Sequence, residues 1–192
     1  MKKIVLFLAA VGLLMVGCAG SEPKQELADP CFQGAPSWVV NPQVEGAIAA
    51  AGSAKKSAGG MQFTRDAAMA NARSEISRVI EVKVNTMMKD FTQVTGVGDA
   101  ETVDKVTSSV SKQVSSQVLQ GTMQKDAWFS PCGELYVLVV LDPSKVADAT
   151  KKQVVTSMKN DQALWQQFQA QKAQDELDAA VNKEFGQGGL GQ

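Results

Sequence analysis

Three cysteines, at positions 18, 31 and 132, and a complete absence of histidine bound the chemistry open to this 192-residue chain. Without imidazole the usual proton shuttle near neutral pH is missing, and so is the commonest metal ligand. Two carboxylate groupings remain for acid–base work: Asp99 with Glu101, and Asp175, Glu176 and Asp178. The first falls at a helix start and the second on a solvated face, where acids are ordinary. Neither a G-x-S-x-G nor an H-E-x-x-H pattern occurs, so no nucleophile elbow or zinc-protease helix is available. These residues point away from an enzyme and call for no cofactor and no metal. Lys and Arg number 19 against 20 Asp and Glu. With no positive surplus to gather phosphates, nucleic acid is not an expected partner.

Cys18 has a particular setting. Met1-Lys2-Lys3 gives a basic start, and residues 4–17 form an uncharged apolar run of 14. A bilayer core needs roughly 20 helical residues, so this run is short for a span and reads as a secretory signal, residues 1–17. The run ends in Met15-Val16-Gly17-Cys18-Ala19-Gly20, which resembles the lipobox of bacterial lipoproteins. That resemblance implies a diacylglycerol on the Cys18 sulfur, cleavage before Cys18 and acylation of the freed amine. Two or three acyl chains make release rare, since each buried CH₂ contributes ~0.8 kcal/mol. Under the family sorting rule, Ala19 in place of Asp directs the chain to the outer membrane.

Cys31 and Cys132 are then left as an even pair in a compartment that permits disulfides. A bridge within the chain is the first choice, with a sequence separation of 101 and a chain-entropy stabilisation of ~4.7 kcal/mol for a loop near that length. Two free thiols and bridges between subunits stay open. Two cysteines without histidine make a poor metal site.

The elements that must carry these residues follow from periodicity. Residues 18–33 are poor in large apolars and read as a flexible tether. In the stretch from Gly34 to Pro42, two prolines predict an extended path around Trp38, which anchors a domain edge. Residues 47–54, bracketed by Gly46 and Gly52, are read as a short strand. From Thr64 to Phe91 the spacing turns helical, with Ala68, Ala72, Ile76, Ile80, Val84, Met87 and Phe91 on one face. Thr64 is the expected cap and Asp66 the first-turn acid, while Arg65, Arg73, Glu81, Lys83 and Lys89 point outward. Gly96-Val97-Gly98 breaks that run, and Asp99 caps a second helix whose valines recur at three or four.

From Val118 the period becomes two. Leu119, Gly121, Met123, Ala127 and Phe129 face one way, with Lys125 as the exception. Ser130-Pro131-Cys132-Gly133 is turn chemistry, and Leu135 to Leu141 is apolar on both faces, the mark of a central strand. Helix resumes near Ser144 and runs to Phe185. One apolar line holds Val154, Met158, Asp161, Trp165, Phe168 and Lys172. A displaced one holds Ala173, Leu177, Ala180 and Glu184, so the track slips near residue 170, and either the helix breaks there or its two halves touch different neighbours. Trp165 and Phe168 predict a docking surface on this domain or on another copy.

Three segments together resemble the LPP-twenty family of membrane-associated lipoproteins: Gly34-Ala35-Pro36-Ser37-Trp38-Val39-Val40, the alanine-rich helix from Ala67 to Ile76, and the strand Leu135 to Asp142. The resemblance spans roughly residues 34–155, leaving 156–192 as a helical tail with a frayed end. It implies an α+β fold: a small β-α-β-β, dodecin-like core with an antiparallel sheet packed by helices. It carries over no catalytic residues. Relatives in flagellar basal structures suggest assembly at the outer membrane.

The expected function is therefore a lipid-anchored outer-membrane protein with a structural or protein-interaction role in the cell envelope, flagellar-associated disk assembly being one form. Its partners are membrane lipid, through acylated Cys18, and other envelope proteins or further copies. The alternative is a periplasmic-side carrier of a small ligand or lipid, with Met61, Met87, Met88 and Met123 lining an adaptable pocket.

Overall fold

A computed structural model describes residues 29–186. Two 3₁₀ turns, Pro30–Phe32 and Ser37–Val39, lead into strand β1 (Ile48–Lys55). Helices α1 (Gly60–Thr95) and α2 (Ala100–Val118) follow, then β2 (Met123–Phe129) and β3 (Glu134–Leu141). Three helices close the chain: α3 (Pro143–Lys159), α4 (Gln162–Ala170) and α5 (Ala173–Phe185). The strands form one antiparallel sheet in the order β1-β3-β2, so the doubly apolar segment is indeed central.

Alternation along β3 divides the sheet into two faces. Leu135, Val137, Val139 and Leu141 point into the main core together with Ile48 and Ala50 of β1. α1 lies across this face, presenting the expected stripe from Ala68 to Phe91, all of it buried. Close approach is possible because Gly52, inside β1 rather than at its end, has no side chain. A Cβ there would collide with the backbone of Ala68 and Ala72, reaching the Ala72 Cα at 2.8 Å.

At 36 residues, α1 is about 54 Å long, roughly twice the reach of an eight-residue strand at about 3.4 Å per residue. Its second half therefore runs past the sheet and is covered by α2 and α5, with α3 and α4 closing the bundle. One continuous apolar core joins both ends, from Ile48 to Phe185.

Several expectations need correction. α1 starts before Thr64, which is buried inside the helix; its Oγ1 donates to the Gly60 carbonyl and accepts from the Ser57 N–H. The Ser57–Gly60 turn thus sets the start, and Asp66 lies beyond the first turn. Trp38 sits in a 3₁₀ turn instead of an extended segment. Arg73 and Lys83 do not simply face solvent. The Arg73 Nε donates to the Thr122 Oγ1 at 3.0 Å, and the Lys83 Nζ to the Glu184 carbonyl at 3.1 Å.

β2 begins after a further 3₁₀ turn at Leu119–Gly121. Gln124 pairs with Val139 and Asp126 with Leu138, so Lys125 is an extra residue bulged out of the ladder. A single extra residue reverses the facing of all that follows. Met123 accordingly shares a face with Asp126 and Trp128 and not with Ala127 and Phe129. Both Met123 and Phe129 are exposed on this edge strand, Met123 on the face turned away from α1 and Phe129 at the strand's end.

The C-terminal segment breaks twice. Asp161 caps α4 through its Oδ1, accepting from Ala163 and Leu164 N–H groups at 2.9 and 3.1 Å. Lys172, at φ +49°, turns the chain into α5. The first break resets the helical phase, so Leu164 joins Phe168 in the core where continuous periodicity chose Trp165. The Phe168 ring meets Phe91 at 6.1 Å, and Trp165 stacks on Phe168 beneath the Lys159 ammonium. The docking surface predicted for these aromatics is on this same body. The boundary expected at residue 155 falls inside α3, and α4 and α5 complete the core rather than trail from it.

Candidate functional site

The outer face of the sheet carries Tyr136, Leu138 and Val140 of β3, with Asp126 and Trp128 of β2 beside them. The segment before β1 lies against this face as a strap. Trp38 is buried there, and its indole Nε1–H donates to the Asp126 Oδ2 at 2.8 Å. Phe32 approaches Tyr136 with ring centroids 6.0 Å apart, and Trp128 flanks the same ring at 5.5 Å. The Tyr136 hydroxyl donates to Glu134, whose other oxygen accepts from Ser53. Burial first, and then the negative charge of Glu134, push the Tyr136 phenol above its ordinary value.

Cys31 and Cys132 lie at disulfide distance, with Cα atoms 5.1 Å apart. Local hydrogen bonds hold both ends in place. Asp29 accepts from the Cys31 N–H at 2.8 Å, while Ser130 donates its hydroxyl to the Cys31 carbonyl at 2.6 Å and accepts from the Cys132 N–H at 3.2 Å. The closing residues of the expected tether are therefore fixed to the turn between β2 and β3. Cys18 lies outside the described residues.

The other singled-out side chains do not converge. Asp99 caps α2 through the Thr102 N–H, and that bond and the Thr102 hydroxyl hold its carboxyl below the usual range. Glu101 pairs with Lys105, and Asp178 with Lys151. Asp175 and Glu176 occupy the first turn of α5, where the helix dipole favours acids. Met87 and Met88 are core residues, whereas Met61 and Met123 are exposed at the surface, so the four line no common pocket. A concavity of about 950 Å³ is an open groove between α1 and α2, lined by residues that include Asn85, Gln93, Val103 and Asp104.

Among the described residues no group of three or more Cys, Asp or Glu could hold a metal ion, and no helix is long and apolar enough to cross a membrane. What sequence reasoning missed is the strap's aromatic partners. Phe32 falls in the stretch that reads as tether, and nothing in the period-two pattern of β2 marks Asp126 as a partner for Trp38.

The fold and this corner define a class: a three-stranded antiparallel sheet packed by helices, with its N-terminal entry strapped across the outer face. A family match at residues 36–142, more than half of the chain, makes the assignment specific. The chain belongs to the LPP20 lipoprotein family, a class of outer-membrane, lipid-anchored bacterial proteins. No curated protein and no solved structure matches it.

Proposed function

We propose that this chain is acylated at Cys18 and works as a structural element of the outer membrane, its folded body binding neighbouring envelope proteins or further copies of itself. The observation that supports this most directly is the strap. A lipid positions a domain only if the intervening chain is fastened to it, and here the fastening begins within 13 residues of Cys18, at Cys31. In this reading residues 1–17 are a leader, Cys31 and Cys132 are bridged within one chain, and the body runs from the strap through α5. The strand and helix order, β-α-β-β with α2 inserted, supports a dodecin-like core. A flagellar-associated disk is the form of self-assembly that the resemblance favours.

Mass spectrometry of the membrane-extracted protein tests the anchor. The expected mature N-terminus is Cys18 carrying a diacylglycerol and an amide-linked acyl chain, and Cys18→Ser should leave the membrane fraction. An unmodified polypeptide free in the periplasm overturns the proposal. Light scattering of the acyl-free protein tests assembly, for which a strict monomer at high concentration argues against a disk.

A further inference from the structure

The end of the sheet from which the tether departs has an unusual surface. Lys55 closes β1 opposite Glu134, and the Lys56 N–H donates to the Gly133 carbonyl at 2.9 Å. The end of β1, the turn that holds Cys132, and the entry to α1 therefore meet in one place. Met61 and Phe63 project from the first turn of α1 at 48% and 63% exposure, and Phe129 from the end of β2 at 42%. Phe63 and Phe129 are the two exposed phenylalanines among the described residues. Each would cost free energy to hold in water unless something covers it. Lys55, Lys56 and Arg65 are exposed around them. The acids of the same region are Asp29, which caps Cys31, Glu134, which is engaged by Ser53 and Tyr136, and Asp66, bonded to Gln62.

We propose that this end is a membrane-docking surface, with Met61, Phe63 and Phe129 entering the headgroup–acyl boundary and Lys55 and Lys56 meeting lipid phosphates. The occupant follows from where the undescribed chain ends. Residues 18–28 number 11, and at ~3.6 Å per residue they reach at most ~40 Å. They join the body at Asp29, beside Cys31, so an anchor at Cys18 keeps this end nearest the bilayer. Apolar tips beside cations are the composition that seats a protein in an interface. The strap fixes the tether's departure point, so the far bundle of α4 and α5 is turned away from the lipid and free to meet other proteins.

This proposal rests on acylation at Cys18, and its test separates the two. The mature protein with Cys18→Ser is mixed with vesicles of phosphatidylethanolamine containing a minority of phosphatidylglycerol, and sedimentation gives the bound fraction. Measurable binding is expected, falling at least tenfold in Met61→Ser/Phe63→Ser, whose altered side chains are exposed and whose folding circular dichroism checks. The acylated protein, reconstituted in the same vesicles, should show slowed amide exchange at residues 55–63 and 129–133 relative to detergent. It should show no slowing in α4. Loss of reconstitution, with vesicle binding by the acyl-free chain intact, refutes the anchor alone. Equal exchange in vesicles and detergent overturns the docking surface. So does protection that follows protein concentration, as a second copy would give, or protection that falls on α4 and α5.

Discussion

The indole N–H of Trp38 donates to the Asp126 carboxylate across 88 positions of sequence, joining the strap to the edge strand on the sheet's outer face. Edge strands leave unpaired backbone and invite unwanted pairing. β2 is held here by a buried ring as well as by its ladder with β3. Trp38→Phe keeps most of the apolar contact and removes the donor, at an expected cost of about 1 kcal/mol. Trp38→Ala removes the ring and should cost about 3–5 kcal/mol. Urea denaturation of the two variants measures both. Equal losses would show that the hydrogen bond, and not the packing of the ring, dominates.

Reduction of the Cys31–Cys132 pair should loosen the strap before it unfolds the body. The expected loss of stability is about 2–5 kcal/mol. Calorimetry with and without reductant checks this, and Cys31→Ser/Cys132→Ser should match the reduced protein. Amide exchange should accelerate first at residues 29–39, which the pair and Trp38 hold.

Gly52→Ala should destabilise strongly, because the added methyl group meets helix backbone that has no rotamer through which to yield. α1 must then lift from β1, opening the core that Ala68 and Ala72 close. A loss of about 2–4 kcal/mol is expected, in the upper range for overpacking. Ala50→Gly, one pleat away on the same face, should cost less because it only removes contact. Thermal melts of the two variants give the order.

Truncation after residue 155 should abolish cooperative folding. It removes α4, α5 and the end of α3, uncovering Phe91, Met87 and Val84 on the second half of α1. Near-ultraviolet circular dichroism of the truncated chain should lose its fine structure. A sharp melt at residues 29–155 would show that the sheet and the first half of α1 fold alone.

Acid should weaken the starts of α2 and α3 together. Asp142 caps α3 through the Ser144 hydroxyl and N–H, and these bonds, with Lys145 nearby, hold its carboxyl below the ordinary value, as Thr102 does for Asp99. A carboxylate whose pKa is depressed on folding contributes stability fully above its unfolded value near 3.8, and loses it as pH falls through the lower folded value. The gap in melting temperature between the wild type and Asp99→Ala/Asp142→Ala should therefore be flat from about pH 7 to pH 5 and narrow below about pH 4. At the alkaline end, Lys183 is raised by its bond to Asp90. Its contribution is complete below 10.5 and fades as pH climbs through the higher folded value.

Sequence alone determined the central place of the segment from Leu135 to Leu141, the buried stripe of α1, the Asp99 cap and the candidate pairing of Cys31 with Cys132. Each of these is a local matter: a period, a cap or a count of thiols, set by neighbours a few residues away. Tertiary structure alone decided the rest. Lys125 reverses the facing of β2 because a bulge exists only relative to a partner strand. Gly52 matters because of a helix laid across it, and Leu164 is buried because Asp161 restarts the helical phase against Phe91. The strap was invisible for the same reason. Phe32, Trp38, Asp126 and Tyr136 are far apart in sequence and carry no shared period, and only the folded sheet brings them to one face.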